Sequence, residues 1–445
     1  MSSRAIHRSS WIAGLLFAAG LAGALTIFVN AGLSFPIFLL ASSVVLIDGI
    51  DIAVRLYLRH NANRREKSIE ASPRRLQPFA ICLSVYNMQN DVDELLDSLE
   101  PYRSSVWIID DASNDATVSR LRAAGWRVFA SERNQKKPAA IKLLLKQLPP
   151  EIRSVLVMDP DVRLPGNLPD RIRAFQSSDA AAMCPRVTVR PDGWLAELQH
   201  IEYSLSFDLG RHSLTPQTVT SGVALYDRRM LEDVLSHHSL SVYGEDLENA
   251  VVLLGEGKDI IYDPQLVVET DGKRSVYGWF SQRVGWSFSL LKVYAEHFSD
   301  IRKIIRRSVF SFYQFGLYFI LLSMLLWPLK IISIGLLAYS ALNGLDELLG
   351  LELLAENRFN HPGYFAALYV KYSFIALAAY LLVTPANTVR RGLLFMPLFF
   401  LYCIALVVPT GIGYLNWICL RLFGRRVYAD HYDDSPVLGR PQRNV

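Results

Sequence analysis

Apolar and polar positions divide the chain into three parts, the first of which is almost entirely apolar. It begins with an uncharged run from Trp11 to Asn30 and continues with a second run from Phe35 to Asp48, which Ile50 to Tyr57 extends. About 20 apolar residues in a helix cross the hydrocarbon core of a bilayer, which is roughly 30 Å thick. The pattern therefore predicts two membrane-spanning helices, with Asp48 and Asp51 near the interface or facing protein.

The middle part, from about Gln77 to His297, alternates short apolar runs with helical patterns. Four runs are predicted strands: Phe79–Asn87, Val106–Asp111, Trp126–Ser131 and Ser154–Asp159. Three predicted helices lie between them: Asp91–Leu99, Asn114–Ala124 and Pro138–Gln147. Because strands that alternate with helices pair in parallel through right-handed connections, this order predicts a mostly parallel, doubly wound α/β sheet.

The rest of the middle part is less regular. Trp194 to His212 has helical spacing with aromatic residues, which favours a helix at a membrane surface. Thr220 to Leu231 predicts a strand followed by a basic turn, and Val242 to Leu254 predicts a helix. Tyr277 to Phe298 is rich in aromatic residues and is typical of an amphipathic helix at the interface.

The third part is apolar again and predicts further spans. The candidates are Val309–Leu329, Tyr364–Val383 and Leu393–Cys419, the last of which is long enough for two spans broken near Pro409 to Gly413. Ile331–Leu345 is shorter and fits either a span or an interfacial helix. Together with the first part, this pattern predicts about six transmembrane helices.

Composition and charge agree with membrane contact. Hydrophobic residues make up 51% of the 445 residues, and the mean hydropathy is +0.20. The net charge of +4 comes largely from basic residues that flank the apolar runs. The stretch after the second run contains Arg55, Arg59, Arg64, Arg65, Lys67, Arg74 and Arg75. Since cytoplasmic loops are enriched in Lys and Arg, this charge predicts a cytoplasmic middle part and cytoplasmic termini, not a partner nucleic acid.

The four cysteines have no metal-ligand spacing. Two of them, Cys82 and Cys184, lie in the predicted cytoplasmic part, while Cys403 and Cys419 lie in the apolar third part. We expect all four to be reduced, buried and inert.

An apolar strand pattern, Val155 to Met158, ends in Asp159 and Asp161. In open α/β sheets ligands bind at the carboxyl ends of the strands. Two carboxylates one residue apart can share a hard divalent cation whose remaining ligands are phosphate oxygens and water. The sequence therefore predicts a Mg²⁺ or Mn²⁺ diphosphate site, with a solvated Asp-Pro-Asp turn as the alternative.

Polar residues follow the other predicted strands at the same sheet edge: Tyr86 and Asn87, then Asp110, Asp111 and Ser113, then Asn134, Lys136 and Lys137. A tyrosine that stacks on a base, an acid that accepts from a pyrimidine N–H and a lysine near phosphate together describe a nucleotide-diphosphate pocket. Each residue also has an ordinary structural alternative: a packing aromatic, a helix cap or a solvated helix start.

Two later motifs suit an acceptor. Ser221 and Gly222 are small enough for a sugar to approach the backbone, although an ordinary glycine turn fits equally well. Glu245 and Asp246 stand at the start of a predicted helix, where backbone N–H groups and the helix dipole hold a carboxylate. Such a carboxylate facing an acceptor can remove its hydroxyl proton, and capping alone is the alternative.

In this order the motifs resemble those of the membrane-embedded, processive family 2 glycosyltransferases, which include hyaluronan, chitin, cellulose and poly-N-acetylglucosamine synthases. The motifs that carry the resemblance are D-D-x-S at Asp110–Ser113, D-x-D at Asp159–Asp161, the small pair Ser221 and Gly222, G-E-D at Gly244–Asp246 and a Q-x-x-x-W remnant at Gln282–Trp286. The resemblance covers nearly the whole chain and implies a GT-A type catalytic domain beside a transmembrane bundle.

The resemblance also implies roles for single residues. Tyr86, Asp110 or Asp111, and Lys137 would hold UDP. Asp159 and Asp161 would bind the diphosphate and its metal, and Asp246, beside Glu245, would be the general base. Gln282, Arg283 and Trp286 would border the acceptor and the diphosphate. Two departures stand out: Gly285 occupies the position of the family's arginine in Q-x-x-R-W, and Met88 replaces a glutamate.

The resemblance thus implies an inverting enzyme of the inner (plasma) membrane. It would polymerise glucose or N-acetylglucosamine from a UDP-sugar into a β-linked polysaccharide and move the growing polymer through its own channel in the lipid bilayer. The expected division is 1–57 (two spans), 58–76 (basic linker), 77–276 (catalytic domain), 277–307 (interface helices), 308–422 (bundle) and 423–445 (tail). The alternatives are transfer of one sugar to a polyprenyl phosphate or lipid, and a transporter with a nucleotide-binding domain.

Overall fold

The fold joins a seven-stranded sheet to a group of apolar helices. The computed structural model describes residues 3–42, 51–59, 75–240, 244–385 and 389–429. Most of the predicted linker at 58–76, most of the tail at 423–445, Asp48 and the residues just before Gly244 therefore lie outside the described residues.

The strands are β1 Phe79–Val85, β2 Val106–Asp110, β3 Val128–Ala130, β4 Ser154–Met158, β5 Ala182–Val189, β6 Ala224–Asp227 and β7 Ile260–Thr270. The helices up to β5 are α1 Ser3–Asn30, α2 Phe35–Ala41, α3 51–59, α4 Val92–Leu99, α5 Thr117–Ala123, α6 Lys136–Leu145 and α7 Leu168–Gln176. Those that follow are α8 Gly193–Ser204, α9 His212–Leu214, α10 Arg228–His237, α11 Glu245–Gly255, α12 Val276–Glu296 and α13 Phe298–Arg307. The last five are α14 Val309–Ser311, α15 Trp327–Leu349, α16 Pro362–Val383, α17 Val389–Leu393 and α18 Met396–Phe423. Leu205–Arg211 and Phe312–Leu325 are π-helical, and Glu100–Ser105 is a 3₁₀ helix.

The strand order is β3-β2-β1-β4-β6-β5-β7. The pairs β3–β2, β2–β1, β1–β4 and β5–β7 are parallel, whereas β6 is antiparallel to both β4 and β5. The sheet is therefore mixed with mostly parallel strands, as in a GT-A-like fold. The four strands and three helices predicted for the first half are all present, with ends that shift by a few residues.

The pattern of the sequence did not predict β5 and β7, and both contain proline. Pro185 lies at an irregularity in the β5–β7 register, where Arg186 pairs with Val267 while Pro185 pairs with Asp263. A proline removes a ladder hydrogen bond and is tolerated at such bulges. Arg186 also breaks the apolar run, although it is buried in an ion pair with Asp208, at 2.8 Å.

Two apolar layers cover the sheet, one on each face. One layer joins Val155 and Tyr226 to residues of α6, α10 and α11, and it extends to Tyr294 in α12. The other joins Leu83 and Leu156 to residues of α4 and α7. Because both faces are covered, the central strands are continuous apolar runs, as their sequences indicated.

Three helices in the described part of the chain are long and apolar enough to cross a membrane: α15, α16 and α18. Shorter apolar helical stretches are Ala18–Asn30 within α1 and Val309–Leu325. About six spans are therefore not confirmed. The second predicted span is helical at 35–41 and 51–59, and the residues between 42 and 51 are outside the described part.

Two predictions for the third part change. The segment around Ile331–Leu345 is not short, because α15 runs for 23 residues. The segment around Leu393–Cys419 is one helix of 28 residues, so it does not break near Pro409. Proline is tolerated inside apolar helices where other groups bind the neighbouring carbonyls. Here Thr410 Oγ1 donates to Leu406 O at 2.8 Å, and Trp327 Nε1 donates to Val407 O at 3.3 Å.

Asp51 faces protein, which is one of the two placements that the sequence predicts. Its carboxylate binds Arg55 Nε at 2.6 Å and accepts from Tyr313 Oη at 2.6 Å. Arg55 Nη2 donates to Gln314 Oε1 at 2.6 Å. This buried ion pair joins α3 to the π-helical segment that precedes α15.

Candidate active site

The carboxyl ends of β1, β2 and β4 meet at one edge of the sheet, and the start of β6 reaches the same edge. The register aligns Val85 with Asp110 and Leu83 with Met158. Since β6 runs antiparallel to β4, Ala224 pairs with Val157. The loops that contain Tyr86, Asp110, Asp111, Asp159, Ser221 and Gly222 are therefore neighbours in space.

Lys137 lies at the centre of this edge. Its Nζ binds Asp159 Oδ1 at 2.5 Å, Glu245 Oε1 at 2.9 Å and the carbonyl oxygen of Gly222 at 3.1 Å. Burial alone would lower the pKa of Lys137, but the two carboxylates raise it above its ordinary value. Lys137 is consequently a cation at neutral pH that joins the loops after β3 and β4 to the start of α11.

Gly222 allows this close approach. A Cβ atom at position 222 would overlap Oδ2 of Asp159, so no larger residue fits there without moving the carboxylate. Ser221 is buried and donates from Oγ to the carbonyl oxygen of Val223 at 2.7 Å. Ser221 therefore shapes the turn, while Gly222 lies beside the carboxylate.

Asp246 lies in the first turn of α11. Its Oδ1 accepts from the backbone N–H of Leu247 at 2.8 Å, and its carbonyl oxygen accepts from Thr220 Oγ1 at 2.7 Å. Burial, followed by the charge of Glu245, raises the pKa of Asp246 to about 6. A base with a pKa close to the working pH is suited to accept a proton and release it again.

Gly244 begins α11 in the left-handed region, with φ +78°. A Cβ there would lie 2.7 Å from Cβ of Ser289 in α12. Both the backbone angle and the close approach require glycine at this position. The start of α11 is therefore packed directly against α12.

Asp161 is exposed toward the cleft beside Asp159. Its Oδ2 accepts from Thr270 Oγ1 at 3.3 Å. Desolvation and the charge of Asp159 raise the pKa of Asp161 to about 6. Burial, together with Glu245, also raises the pKa of Asp159 despite the opposing effect of Lys137. Carboxylates that repel each other in this way are suited to share a divalent cation, which lowers their mutual repulsion.

No cluster of three or more His, Cys, Asp or Glu side chains arranged to hold a metal exists among the residues that the structure describes. A cation bound by Asp159 and Asp161 would therefore need additional oxygens from substrate or water. Such a ligand set is typical of Mg²⁺, which keeps water and substrate phosphates as ligands.

The two aspartates after β2 differ in their contacts. Asp111 accepts from the backbone N–H groups of Gln135 at 2.8 Å and Lys136 at 2.6 Å, so both of its oxygens fix the start of α6. Asp110 accepts from Ser113 N at 3.0 Å through Oδ2, while its buried Oδ1 has no hydrogen-bond partner in the described part. These contacts favour the capping alternative for Asp111 and leave an acceptor on Asp110.

The loops after β1 and β2 support each other. Asn87 N donates to Ser113 Oγ at 2.8 Å, and Asn114 N donates to Asn87 Oδ1 at 2.9 Å. Asn87, Ala112 and Lys136 all have positive φ angles, of 48°, 64° and 71°. Such strain persists where surrounding contacts enforce it, often at binding sites. Tyr86, at the start of this loop pair, is 49% exposed and has a ring face available for a ligand.

The residues predicted on α12 are placed differently. Arg283 is buried, and its Nη2 binds Glu202 Oε2 of α8 at 2.5 Å, while its guanidinium lies 4.1 Å from the ring centroid of Trp286. Arg283 Nη1 also donates to Gln282 Oε1 at 3.1 Å. Trp286 remains 42% exposed. Within the described residues no hydrogen bond or ion pair joins these three to Lys137 or Asp246.

Sequence reasoning missed two neighbours of Asp246, the predicted base. Thr220 holds the backbone of Asp246, and Arg211 Nη2 donates to the carbonyl oxygen of Thr220 at 3.5 Å. The positive charge of Arg211 opposes the rise in the pKa of Asp246. The only signal for Arg211 was its position four residues after Phe207 on one helical face, where its guanidinium lies 4.1 Å from the ring centroid.

The four cysteines, all of which the structure describes, form no disulfide bond. Cys82 and Cys184 are buried, and Cys403 and Cys419 are partly buried. Burial raises the pKa of the Cys184 thiol to about 11, which keeps it protonated and unreactive at neutral pH.

Residues 80–235 match the family described as Glycosyl transferase family 2. The matched residues run from β1 into α10 and include Lys137, Asp159 and Gly222, whereas Glu245 and Asp246 lie beyond them. This match supports a family 2 glycosyltransferase domain in this part of the chain. No curated protein matches the chain.

Several solved structures are similar to this chain at low identity. The mannosyltransferase PcManGT from Pyrobaculum calidifontis, in complex with GDP-Man and Mn²⁺, has 15% identity and a TM-score of 0.46, covering 84% of this chain and 99% of that chain. Glucosyl-3-phosphoglycerate synthase from Mycobacterium tuberculosis, in complex with Mn²⁺, UDP-glucose and phosphoglyceric acid, has 16% identity and a TM-score of 0.31, covering 51% of this chain and 81% of that chain.

Proposed function

We propose that this chain is an inverting glycosyltransferase that transfers a sugar from a UDP-sugar to an acceptor hydroxyl at the cytoplasmic face of a membrane. The observation that carries the proposal is the junction at Lys137, which binds Asp159 on the predicted donor side and Glu245 beside Asp246 on the predicted acceptor side. The match of residues 80–235 to the family supports the reaction class.

In the proposed reaction Asp246 removes the proton of the acceptor hydroxyl. The oxygen attacks the anomeric carbon in line, the bond from that carbon to the diphosphate oxygen breaks, and UDP leaves with the bonding electron pair. An α-linked donor then gives a β-linked product. Lys137 stabilises the charge that develops on the diphosphate, and Tyr86 stacks on the base while Asp110 Oδ1 accepts from it.

Asp159 and Asp161 would hold Mg²⁺ or Mn²⁺, which supplies positive charge for the departing diphosphate. Burial raises the pKa of both carboxylates, the charge of Glu245 adds to the rise for Asp159 and that of Asp159 to the rise for Asp161, so a bound cation would stabilise their ionised forms. Lys137 already binds Asp159 Oδ1, which leaves Asp159 Oδ2 and Asp161 as the available oxygens. The occurrence of Mn²⁺ in the similar mannosyltransferase structure is in keeping with this assignment.

For the acceptor, our first candidate is a growing polysaccharide made of glucose or N-acetylglucosamine. A polar polymer does not cross lipid unaided, so we propose that the apolar helices that contact the catalytic layer also form its path. α12 connects the catalytic layer to these helices because it packs along α18, where a Cβ at Gly413 would lie 2.5 Å from the carbonyl oxygen of Val284.

A second candidate is transfer of one sugar to a polyprenyl phosphate or lipid. Gly285 stands where processive relatives have arginine, and Arg283 is bound to Glu202, so it does not replace that arginine at the diphosphate. Weaker binding of the nucleotide between successive transfers favours release of the product after one sugar has been added.

The test is to incubate membranes that contain the protein with a panel of UDP-sugars and Mg²⁺ or Mn²⁺, with GDP-mannose as a second nucleotide. We expect UDP release with UDP-glucose or UDP-N-acetylglucosamine. A ladder of long products on a gel supports polymerisation, and one extractable glycolipid supports the second candidate. Absence of nucleotide release from every donor, in membranes where the folded protein binds UDP, would refute the proposal.

Sealed inside-out vesicles test the path of the polymer. Radiolabelled product that becomes protected from an added glycosidase supports movement into the vesicle lumen. Product that remains wholly digestible contradicts transport through the helices while leaving sugar transfer intact.

A further inference from the structure

Behind the proposed base, on a buried face of α11, Glu248 holds a cluster of polar groups. Its side chain is fully buried. Oε1 accepts from the backbone N–H of Ser239 at 2.6 Å and from His297 Nε2 at 2.9 Å, and Oε2 accepts from Ser239 Oγ at 2.7 Å. Hydrogen bonds and His297 lower the pKa of Glu248 to about 2 although burial opposes this, so it is ionised at neutral pH.

His297 follows α12 and faces carboxylates with both ring nitrogens. Nε2 lies 2.9 Å from Glu248, and Nδ1 lies 3.6 Å from Asp300 Oδ2 of α13. Only the doubly protonated imidazolium donates from both nitrogens. The hydrogen bond to Glu248 raises the pKa of His297 above its ordinary 6.5, with a further contribution from Asp300.

Other charged groups surround this pair. Lys303 binds Asp300 Oδ1 at 2.7 Å, and Lys292 Nζ donates to Ser239 Oγ at 3.3 Å. Lys292 also lies 3.6 Å from Glu296, which is 3.7 Å from Arg421 of α18. These lysines, Glu296 and Arg421 do not bond His297 directly, so Glu248 and Asp300 dominate its charge state.

His238 forms the other end of the cluster, and its imidazole is neutral. Its Nδ1 accepts from the backbone N–H of Leu240 at 2.8 Å, so the ring proton must be on Nε2. Nε2 then donates to the carbonyl oxygen of Glu245 at 3.3 Å and lies 3.5 Å from Glu248 Oε2. Burial lowers the pKa of His238, which agrees with this neutral tautomer.

The cluster therefore binds the backbone at two places. Glu248 and His238 bind Ser239 and Leu240, and His238 also donates to the carbonyl oxygen of Glu245. Leu240 has a φ of 55°, a strained value that these bonds enforce. Since Glu245 binds Lys137 and Asp246 follows it, a change in the bond to the carbonyl oxygen of Glu245 moves the proposed base.

We propose that Glu248 and His297 form a charge-dependent clasp that positions Glu245 and Asp246 against Lys137 for the proposed transfer. Both are positioning residues, because they act through the backbone at the start of α11 and do not reach the cleft. The proposal rests on the function proposed above and adds to it a regulation by pH.

The direction of the expected pH dependence follows from the raised pKa of His297. The clasp is complete while His297 is protonated and weakens as the pH rises through that pKa, above 6.5. Asp246 must instead lose its proton, so activity rises with pH through about 6. The wild-type rate should therefore pass through a maximum, with Asp246 on the acidic side and His297 on the alkaline side.

The test compares kcat and KM from pH 6.5 to 9.5 for wild type, His297→Gln, His297→Lys and the control His237→Gln. His237 is the adjacent residue to His238, and its side chain is 64% exposed. At pH 7 we expect kcat of His297→Gln to fall about 10- to 100-fold with KM nearly unchanged, since small misplacements cost up to about 10²-fold. This gap should narrow as the pH rises toward 9.5, because wild type loses its own imidazolium as the pH passes the raised pKa of His297.

His297→Lys keeps a positive charge to higher pH and should remove the alkaline fall, while His237→Gln should follow wild type. A gap between wild type and His297→Gln that stays constant up to pH 9.5, or a wild-type rate without an alkaline fall, would overturn the clasp.

A second measurement needs no substrate. Chymotrypsin cleavage after Leu240 should be slow at pH 7 in wild type, faster at pH 9.5, and fast at both pH values in His297→Gln. If cleavage follows this pattern and no sugar donor reacts, the clasp stands and the proposed transfer fails. Cleavage of wild type that does not change with pH contradicts the clasp whatever the enzyme activity.

Discussion

The proposed donor side and the proposed acceptor side of the site are built in different ways. On the donor side, Tyr86, Asp110 and Asp159 each lie within one residue of the end of a parallel strand, so the sheet itself places them. On the acceptor side, Gly222 and Asp246 depend on an antiparallel strand, a left-handed glycine and contacts with α12. The proposed donor side therefore depends on local structure, whereas the proposed acceptor side depends on contacts between residues that are distant in the sequence.

The largest effect should come from Asp246→Asn on the acceptor side. Removing the base should lower kcat by about 10²- to 10⁴-fold while the affinity for UDP changes little, because the donor loops are independent of that carboxylate. The residual rate should also lose the rise through about pH 6 that ionisation of Asp246 causes. UDP release and calorimetric UDP titration measure the two quantities, and wild-type turnover would remove Asp246 from the base role.

Lys137→Met should affect both sides at once. It leaves Asp159 and Glu245, which are only partly buried, without the cation that they share. We expect kcat/KM for the donor to fall by about 10²-fold or more. Lys146→Met, an exposed lysine just after α6, is the matched control. Equal activities of the two variants would show that Lys137 does not join the two sides.

Tyr86→Ala should affect the donor side alone. Loss of a stacked aromatic costs about 1–3 kcal/mol, which corresponds to about 5- to 150-fold weaker UDP binding. Tyr86→Phe keeps the ring and should bind UDP nearly as wild type does. Titration with UDP separates the variants, and unchanged affinity of Tyr86→Ala would assign this tyrosine to another surface contact.

The smallest effect on the binding of the donor should come from Arg283→Gln. Because its guanidinium binds Glu202, we expect UDP affinity within about twofold of wild type and a lower melting temperature, since Glu202 loses its partner. Arg274→Gln, whose side chain is 79% exposed, is the control for loss of one positive charge. A tenfold loss of UDP affinity in Arg283→Gln alone would instead place this arginine at the diphosphate.

The same contrast explains how far the sequence predicts the structure. The first four strands and their loops follow from apolar runs that end in polar residues, because each element is determined by neighbouring residues. The strands β5 and β7 were missed because Pro185 and the buried Arg186 break the pattern, and the residues that pair between them lie about 80 positions apart.

The candidate site likewise depends on contacts that the sequence does not predict. The sequence identified Asp159, Glu245 and Lys137 as candidates but not that the Lys137 ammonium group binds both carboxylates. It also left Asp111 open between a cap and a ligand, and only its two bonds to the start of α6 favour the cap. Contacts such as those of Thr220 and Glu248 depend on the packing of distant elements and have no local signature.

α12 and α18 cross in close contact at Gly413, where even a methyl group would overlap the backbone of α12. Any tilt of α18 must therefore be followed by α12, and Ser289 carries that movement to Gly244. A movement of α18 would thus reach the turn that begins α11, the helix that contains the proposed base.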